Sequence, residues 1–270
     1  FSWGLSIMTL PSGFKSVIDL TLIVSERHPS NWPTHMPFQH KTFNWYENSE
    51  SATEVNTSKQ GPYATKWMLI DEHTGTHMDA PTHFIPPQHS GLEFANEWGE
   101  VNVDKIPLTQ LMGDALVVDA AYYETEQGVS RLTQPSDIQS WESKNRQIRS
   151  GDIVIFRSGW DKNYQEGVNG NAYAFDSFVM KSQPAWGAPS EDAINYLMSK
   201  NVKCIGTDGP TMGPAQGGQG VHVRALGKGA VFIECLSKLD LLPQVGAYFM
   251  FLPLNILNAT GSPGRAIAFV

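Results

Sequence analysis

The sequence has few cysteines and few basic residues, and each shortage disfavours a class of protein. Only two cysteines occur among 270 residues, Cys204 in "NVKCIG" and Cys235 in "VFIECL". Each lies in a short apolar run, which is typical of a reduced, buried thiol and not of a disulfide framework. The 19 Lys and Arg residues are outnumbered by 27 acidic residues, for a net charge of -8. Nucleic acid and anionic membrane surfaces are therefore disfavoured as partners.

Long apolar runs and low-complexity segments are also missing. The most apolar stretch, "VGAYFMFLPLNIL", is interrupted by Gly, Pro and Asn and is shorter than the ~20 residues that span a bilayer. The first residues lack a charged leader before an apolar core, so we expect a cytoplasmic protein and not a secreted one. With 41% hydrophobic residues and no linker-like segment, the chain is expected to form a single domain over residues 1–270.

Short β-branched runs bounded by turn residues recur along the chain and predict strands. They are "SVIDLTLIV", "KWMLID", "ALVVDAA", "GDIVIFRSGW", "VKCIGTDG", "GAVFIECL" and "AYFMFLPL". Helical spacing occurs in "TQPSDIQSWESKN", with Ser136 as the expected N-cap, and in "SEDAINYLMSK", with Ser190 as the N-cap. The second helix runs directly into a strand, which predicts an α/β domain with a mixed sheet. Residues 30–61 lack aliphatic periodicity and are predicted to form a long loop.

Three of the eight histidines lie in the short segment "DEHTGTHMDAPTHF". His73, His77 and Asp79 share one parity, so an extended backbone projects all three to the same side. A straight strand separates residues i and i+4 by ~13 Å, whereas metal–nitrogen bonds are ~2 Å long, so the segment must bend. Gly75 is the expected hinge. Two imidazoles and one carboxylate leave coordination positions open, as catalytic metal sites do, and His83 would stand nearby as a base.

The residues of this segment also fit interpretations other than a hydrolytic metal site. A single histidine is usually a surface or core residue, but three with an aspartate at spacings of 4, 2 and 4 favour a metal site. The same ligand types occur in mononuclear iron oxygenases, and a non-catalytic metal-binding or ligand-binding module would leave His83 without a role. A phosphate-binding enzyme is disfavoured, because "GGQGVH" and "LGKGA" do not make a Gly-x-x-x-x-Gly-Lys-Ser/Thr loop.

The pattern H-x-G-T-H-x-D-x-P-x-H-F, which begins at His73, resembles the signature of the cyclase family of metal-dependent hydrolases. That family includes bacterial kynurenine formamidase and isatin hydrolase. Further blocks similar to the family's follow in the same order: "SGDIVIFRSGW", "VKCIGTDGPT", "HVRALGKGAVFIECL" and "GSPGRAIAF". The resemblance implies a compact, mixed-sheet α/β fold of the swivelling β/β/α kind, assembled as a homodimer or a higher oligomer.

The resemblance also implies a role for individual residues. The implied metal ligands are His73, His77 and Asp79, the general acid/base is His83, and His222 and Glu234 complete the site, where formamidases may hold a second zinc. Gln219, on a glycine-rich turn, offers a neutral oxygen as a further ligand. Imidazole favours zinc and oxygen donors favour manganese, so we expect Mn²⁺, with Zn²⁺ as the alternative. At Ala225 the resemblance would allow a small polar residue. Alanine has no hydroxyl, so any proton route that needs a hydroxyl at this position would be impaired.

The aromatic segment "NWPTHMPFQHKTFNWY" most resembles the isatin hydrolase branch, which opens the lactam ring of isatin to isatinate. The alternative substrate is N-formylkynurenine. A flat aromatic amide would stack on aromatic side chains, and we expect Trp32, Phe38 and Tyr63 to contact it, although most aromatic residues of the chain are expected in the core. The expected reaction is hydrolysis by metal-activated water, with His83 moving the proton.

Overall fold

The computed structural model describes residue 11 and residues 13–46, 61–120 and 125–270. Within these residues the regular elements are short strands and three α-helices. The strands are β1 (Val17–Asp19), β2 (Gln39–Trp45), β3 (Ala64–Leu69), β4 (His77–Asp79), β5 (Met112–Asp119), β6 (Leu132–Thr133), β7 (Ile153–Arg157), β8 (Ala188–Pro189), β9 (Cys204–Thr207), β10 (Val231–Glu234), β11 (Ala247–Pro253) and β12 (Gly261–Phe269). The helices are α1 (Pro135–Lys144), α2 (Glu191–Ser199) and α3 (Gln219–Leu226).

Eight strands form one mixed sheet in the order β1-β12-β11-β5-β7-β9-β10-β4. The four strands β5, β7, β9 and β10 run parallel to one another, and the other pairings are antiparallel. The first residues of β12 also pair with β4, so the sheet closes on itself into a partial barrel. This mixed α/β architecture confirms the predicted fold class.

The core lies on both faces of the sheet, because successive side chains of a strand point to opposite sides. On β5, Ala115 and Val117 belong to the cluster inside the partial barrel, together with side chains of β11 and β12. Leu116 and Val118 face the other way and pack against the three helices. Both faces are therefore buried, which explains why the parallel strands are almost continuously apolar in sequence.

Several expectations about local structure are confirmed. Each of the seven predicted strand segments contains a strand, and α2 begins after Ser190, whose Oγ accepts a hydrogen bond from the backbone N–H of Ala193 at 3.0 Å. Cys204 and Cys235 are both unpaired and buried. In the described part of the chain, no helix has the length and apolar character needed to cross a bilayer.

The N-cap predicted for α1 is wrong. The helix begins at Pro135 and is capped by Gln134, not by Ser136. Proline suits the first helical position because it lacks the N–H that would find no partner there. The side chain of Asp137 accepts a hydrogen bond from the Gln134 N–H at 2.8 Å and closes a capping box.

The prediction of a continuous loop over residues 30–61 is also wrong in part. Strand β2 lies within it and pairs with β3 as a separate two-stranded hairpin. Most side chains of these two strands are exposed or half-buried, so no apolar alternation marks them in the sequence. Residues 47–60 of that segment lie outside the described residues.

Candidate metal centre and active site

The histidine-rich segment bends sharply between its first two histidines. Gly75 has a φ of 61°, in the left-handed region that favours glycine. A Cβ built there would lie 2.6 Å from Cγ2 of Val24, and the Gly75 N–H donates to the Ser30 carbonyl at 2.5 Å. The predicted hinge therefore lies at Gly75. Beyond it the chain enters β4, so His77 and Asp79 lie on a strand while His73 lies in the turn before it.

Strand β4 is only three residues long, but it has a strand on each side. In the pairing with β10, His77 lies opposite Glu234. In the pairing with β12, Asp79 lies opposite Gly261. This register places Glu234 beside His77, which lies 157 positions earlier in the chain.

The motif side chains converge on Asp79. Oδ1 of Asp79 lies 2.8 Å from Nδ1 of His73 and 3.4 Å from Nε2 of His77. Nε2 of His77 also lies 3.5 Å from Oε2 of Glu234. Two groups of donor atoms, each within 4.8 Å of one another, share this aspartate: His73, Asp79 and His83 in one, and His77, Asp79 and Glu234 in the other.

Helix α3 supplies a fourth histidine to the cluster. Nδ1 of His222 lies 2.8 Å from the Gly218 carbonyl, which directs Nε2 towards the carboxylates. That Nε2 atom lies 3.4 Å from Oε1 of Glu234 and 3.7 Å from Oδ2 of Asp79. Glu234 is itself held by the backbone N–H of Met212, at 2.6 Å. His222 and Glu234, which the resemblance implies as the pair that completes the site, are thus placed beside the motif.

The donor set fits a divalent cation. Asp79 and Glu234 are 1% and 3% exposed, and Oδ2 of Asp79 has no hydrogen-bond partner among the described residues. A buried, unpaired carboxylate oxygen is costly unless a cation satisfies it. Burial acts to raise the pKa of Asp79, but its electrostatic interactions with His83 and His73 hold it well below its usual value. An ionised carboxylate among imidazole nitrogens is the ligand combination that Zn²⁺ and Mn²⁺ accept.

His83 has a different electrostatic environment from the other histidines of the cluster. It lies on a short 3₁₀ turn, Pro81–His83, with its ring centroid 3.9 Å from that of His73. Burial lowers the pKa of His83 to about 4. For His222, burial acts in the same direction, but the hydrogen bond with Glu234 raises its pKa above the usual value. The imidazole of His83 is accordingly neutral near pH 7, so its free ring nitrogen can accept a proton.

The cluster opens into a cavity of about 290 Å³, close to the lower end of the range for small-molecule sites. One wall is polar and carries His73, His77, His83, Thr211, His222 and Glu234. A second wall is mostly apolar and carries Trp32, Tyr173, Ala174, Phe178, Pro210, Pro214 and Ala215. Trp32 packs against Phe178, with ring centroids 4.6 Å apart, and edge-on against Trp186, at 6.1 Å.

The predicted site residues divide into those that line this cavity and those that do not. Trp32 lines it, and so does Gln219, whose side chain is exposed at the first position of α3, not on a free turn. Phe38 and Tyr63 do not line it. Phe38 is buried, at 8% exposure, directly before β2, and Tyr63 is 42% exposed, directly before β3. Both lie near the motif in sequence, but neither side chain belongs to the cavity lining.

Sequence reasoning missed several residues of the cavity. His35 lies at its edge, with Nδ1 3.5 Å from a carboxylate oxygen of Asp71. Tyr173 ends a 3₁₀ helix, Gly167–Tyr173, and Phe178 lies in a short π-helix, Phe175–Val179, and neither has a periodic apolar pattern in the sequence. Cys235 was read only as a buried thiol, yet it lines the cavity directly after Glu234. Ala225 lies elsewhere, fully buried in the core between α3 and the sheet, so it does not face the cavity.

Comparison with known proteins agrees with the geometry. The family model described as "Putative cyclase" matches residues 18–214. Isatin hydrolase of Roseibium aggregatum is 32% identical over 216 residues, which cover 78% of this chain and 76% of that protein. Kynurenine formamidase of Erythrobacter litoralis is 28% identical over 201 residues, covering 74% of each chain. A crystal structure of an isatin hydrolase bound to the product analogue thioisatinate superposes with a TM-score of 0.72 at 24% identity, covering 94% of this chain and 92% of the other.

The chain belongs to the cyclase family. It is a metal-dependent hydrolase of that family, related both to isatin hydrolase and to kynurenine formamidase.

Proposed function

We propose that the protein hydrolyses the amide bond of a small cyclic aromatic amide, and that its substrate is isatin, opened to isatinate. The observation that carries this proposal is the joining of a polar ligand cluster and a flat aromatic wall in one small cavity. The 32% identity with an isatin hydrolase supports the same choice of substrate. In this reaction water adds across the lactam C–N bond, so the carbonyl carbon becomes a carboxylate and the nitrogen becomes an aryl amine.

The residues that would hold the divalent cation are His73, His77 and Asp79, with Glu234 and His222 in reach of the same position. Such a cation lowers the pKa of bound water from 15.7 towards ~7 and polarises the carbonyl of the substrate. We propose Mn²⁺, with Zn²⁺ as the alternative, because the set combines imidazoles with carboxylates and Gln219 can add an amide oxygen. The sharing of Asp79 by two donor groups also allows for two ions in place of one.

His83 is the proposed general acid/base. Its neutral imidazole, in contact with the ring of His73, can take the proton of the attacking water. The resulting imidazolium then returns that proton to the departing nitrogen, which would otherwise leave as an unstable anion. The negative charges of Asp79 and Glu234 favour the protonated form of His83 during this step.

The aromatic wall is the proposed seat of the substrate ring. Trp32 and Phe178 present ring surfaces to the cavity, and Tyr173 closes one side. A bicyclic amide would bury its apolar faces against these rings, while its carbonyl points to the polar wall. His35 and Thr211, at the edges of the polar wall, are the nearest remaining polar side chains for a second substrate oxygen.

Two other functions are tested by the same experiment. The kynurenine formamidase relatives support N-formylkynurenine as the alternative substrate. A mononuclear iron oxygenase would use two histidines and one carboxylate, but here Glu234 and His222 enlarge the donor set beyond that triad. The oxygenase is therefore the weaker alternative.

The experiment uses the protein stripped with a chelator and reloaded with Mn²⁺ or Zn²⁺. Isatin and N-formylkynurenine are supplied separately, without oxygen, and the absorbance of each is followed. We expect loss of the isatin chromophore in the metal-loaded samples and none in the stripped protein. Consumption of the formamide alone would replace the proposed substrate with the alternative. Full turnover in the presence of EDTA would contradict the metal-dependent mechanism itself.

We also propose that the protein assembles as a homodimer. The β2–β3 hairpin forms its own two-stranded sheet and exposes large apolar side chains, among them Trp45, Trp67 and Met68. Exposed apolar surface of this kind is typical of an interface between chains. Light scattering after gel filtration should give twice the 29.8 kDa mass of one chain, and the mass of a single chain would contradict the proposal. The cytoplasmic location stays a prediction from the sequence.

A further inference from the structure

The ring of His73 contacts Thr260, a residue that lies 187 positions further along the chain. Nδ1 of His73 faces Asp79 at 2.8 Å, so this nitrogen points into the ligand cluster. The other ring nitrogen, Nε2, lies 3.3 Å from the hydroxyl oxygen of Thr260. Thr260 directly precedes β12, the strand that closes the sheet beside β4.

The hydroxyl of Thr260 is itself hydrogen-bonded to a carboxylate. Its Oγ1 donates to Oε2 of Glu72 at 2.8 Å, and the Thr260 backbone N–H donates to the same oxygen at 2.7 Å. The backbone N–H of Gly261 adds a third donor at 3.3 Å. Because Thr260 uses its only hydroxyl hydrogen towards Glu72, its oxygen is left to accept from the imidazole.

This arrangement determines which nitrogen of His73 carries the proton. If Thr260 Oγ1 accepts, Nε2 of His73 must be the N–H, and Nδ1 then presents its lone pair to the ligand cluster. A neutral imidazole with a free Nδ1 is the form that binds a cation. The carboxylate of Glu72, acting through the hydroxyl, increases the electron density of the ring in the way that a directly bonded carboxylate does.

The backbone around Thr260 also restricts the ring in space. A Cβ built on Gly261 would lie 2.4 Å from Cε1 of His73 and 2.8 Å from each ring nitrogen. The imidazole therefore packs directly against a backbone that has no side chain at this position, and only glycine leaves room for it. Glu72 precedes His73 in sequence, so the same chain segment holds both ends of the hydrogen-bond chain.

We propose that Glu72 and Thr260 are positioning residues for the metal site, which fix the tautomer and orientation of His73 and thereby strengthen cation binding. This inference rests on the metal site proposed above. Outer hydrogen-bond partners of metal-bound histidines typically contribute 10- to 100-fold in metal affinity.

The test measures the dissociation constant of Mn²⁺ for stripped protein, by competition with a chromophoric chelator. Thr260→Val removes the hydroxyl but keeps the size of the side chain and the backbone N–H bond to Glu72. We expect its dissociation constant to rise about 10- to 100-fold. Thr260→Ser restores the hydroxyl and should bind nearly as tightly as the wild type. A role in packing alone predicts the opposite order, with the isosteric valine tolerated better than serine.

Glu72→Gln removes the charge and keeps an acceptor oxygen, so it should weaken binding as well. If both residues act through one hydrogen-bond chain, the double variant with Thr260→Val should lose less affinity than the sum of the two losses in log units. Thr82→Val is the matched control, because the Thr82 hydroxyl is buried beside His83 and has no hydrogen-bond partner among the described residues. Its dissociation constant should not change.

Three outcomes would overturn the inference, and a fourth would go further. Wild-type affinity in Thr260→Val, failure of Thr260→Ser to restore affinity, or strict additivity of the two changes would each show that the hydrogen-bond chain does not act on His73. Thermal unfolding of the stripped variants identifies any that fail to fold. A wild-type protein that binds no cation would instead overturn the metal site itself.

Discussion

The two walls of the cavity are built from different kinds of backbone. The polar wall lies on β4 and β10, neighbouring strands of the closed sheet, and on α3, which packs against that sheet. The aromatic wall lies on the segment around Trp32 and on the short 3₁₀ and π-helices over residues 167–179. Ladder hydrogen bonds fix β4 and β10 of the first wall, whereas ring packing and single hydrogen bonds, such as that from the Tyr173 hydroxyl to the Asp208 carbonyl at 3.2 Å, hold the second. The difference indicates that chemistry is conferred by the sheet and substrate choice by segments that can vary without disturbing it.

The largest expected effect lies at the centre of the polar wall. Asp79 belongs to both donor groups, so Asp79→Asn should weaken cation binding by more than the ~100-fold that outer-shell changes cause, and turnover should fall with it. Elemental analysis after dialysis and an activity assay measure both quantities. Asp119→Asn, which alters a half-exposed carboxylate paired with Arg157, is the control. Stoichiometric metal in Asp79→Asn would remove Asp79 from the ligand set.

The next largest effect is expected at His83, also on the polar wall, and it distinguishes a metal ligand from a general acid/base. His83 belongs to one donor group, but the proposed role is proton transfer. His83→Ala should lower kcat/KM about 10²- to 10⁴-fold while the metal content is unchanged. A loss of metal in parallel with activity would make His83 a ligand in place of a base. His89→Ala, at an exposed histidine paired with Glu100, should leave both quantities unaltered.

A smaller effect is expected on the aromatic wall. Trp32→Ala should raise KM for isatin about 2- to 10-fold, since an aromatic pair contributes about 0.5–1.5 kcal/mol beyond area burial, and it should leave the metal content unchanged. Trp67→Ala, on the hairpin outside the cavity, is the matched control. If Trp32→Ala changed kcat and not KM, the contrast between a chemical wall and a binding wall would fail.

The smallest effect is expected at Asp208, which does not belong to the cavity lining among the described residues, and it concerns stability and not turnover. This buried carboxylate follows β9 and accepts N–H groups from Ser158 and Gly159. Burial raises its pKa to about 6, above the ordinary value of ~3.9 for the unfolded chain. Between these values the folded protein binds a proton that the unfolded chain does not, so the stability contributed by Asp208 is lost as pH rises through about 6.

The corresponding free energy is at most about 3 kcal/mol over the whole interval between the two pKa values, from 1.36 kcal/mol per pKa unit. About 1.4 kcal/mol of it is lost above pH 5, and urea unfolding of the wild type and of Asp208→Asn at pH 5 and pH 7.5 measures that part. The stability of the wild type relative to the variant should decrease across this interval. Parallel pH profiles for the two proteins would mean that Asp208 is already ionised in the folded state throughout the range.

The same two walls differ in how far the sequence could predict them. His73, His77 and Asp79 could be predicted from the sequence because they lie in one short segment. Their odd-numbered positions and the glycine hinge between them form a local pattern. Glu234 was predicted as a site residue only through the family resemblance. Its position opposite His77 depends on the register between β10 and β4, and no local sequence pattern encodes that register. The strands of the closed sheet were predictable for a related reason, because burial on both faces makes them apolar throughout.

Apart from Trp32, the aromatic wall could not be predicted in this way. Tyr173 and Phe178 lie in short 3₁₀ and π-helices without apolar periodicity, and their nearness to Trp32 is a product of tertiary packing. Phe38 and Tyr63 lie near the motif in sequence, but the hairpin that carries them is a separate sheet. Strand β12 was recognised only as a family block, because two glycines and a proline interrupt its apolar pattern.

The closure of the sheet by β12 has a consequence for the order of events during synthesis. A nascent chain that has emerged as far as the histidine-rich segment lacks both strands that flank β4, and it lacks the threonine and glycine that support the first histidine. These partners exist only once the chain has been synthesised through β12, and pairing over such sequence distances is slow. The proposed cation site can therefore be complete only after β12 has been made, and a chain that ends before β12 would present the imidazoles with no rigid frame to hold them.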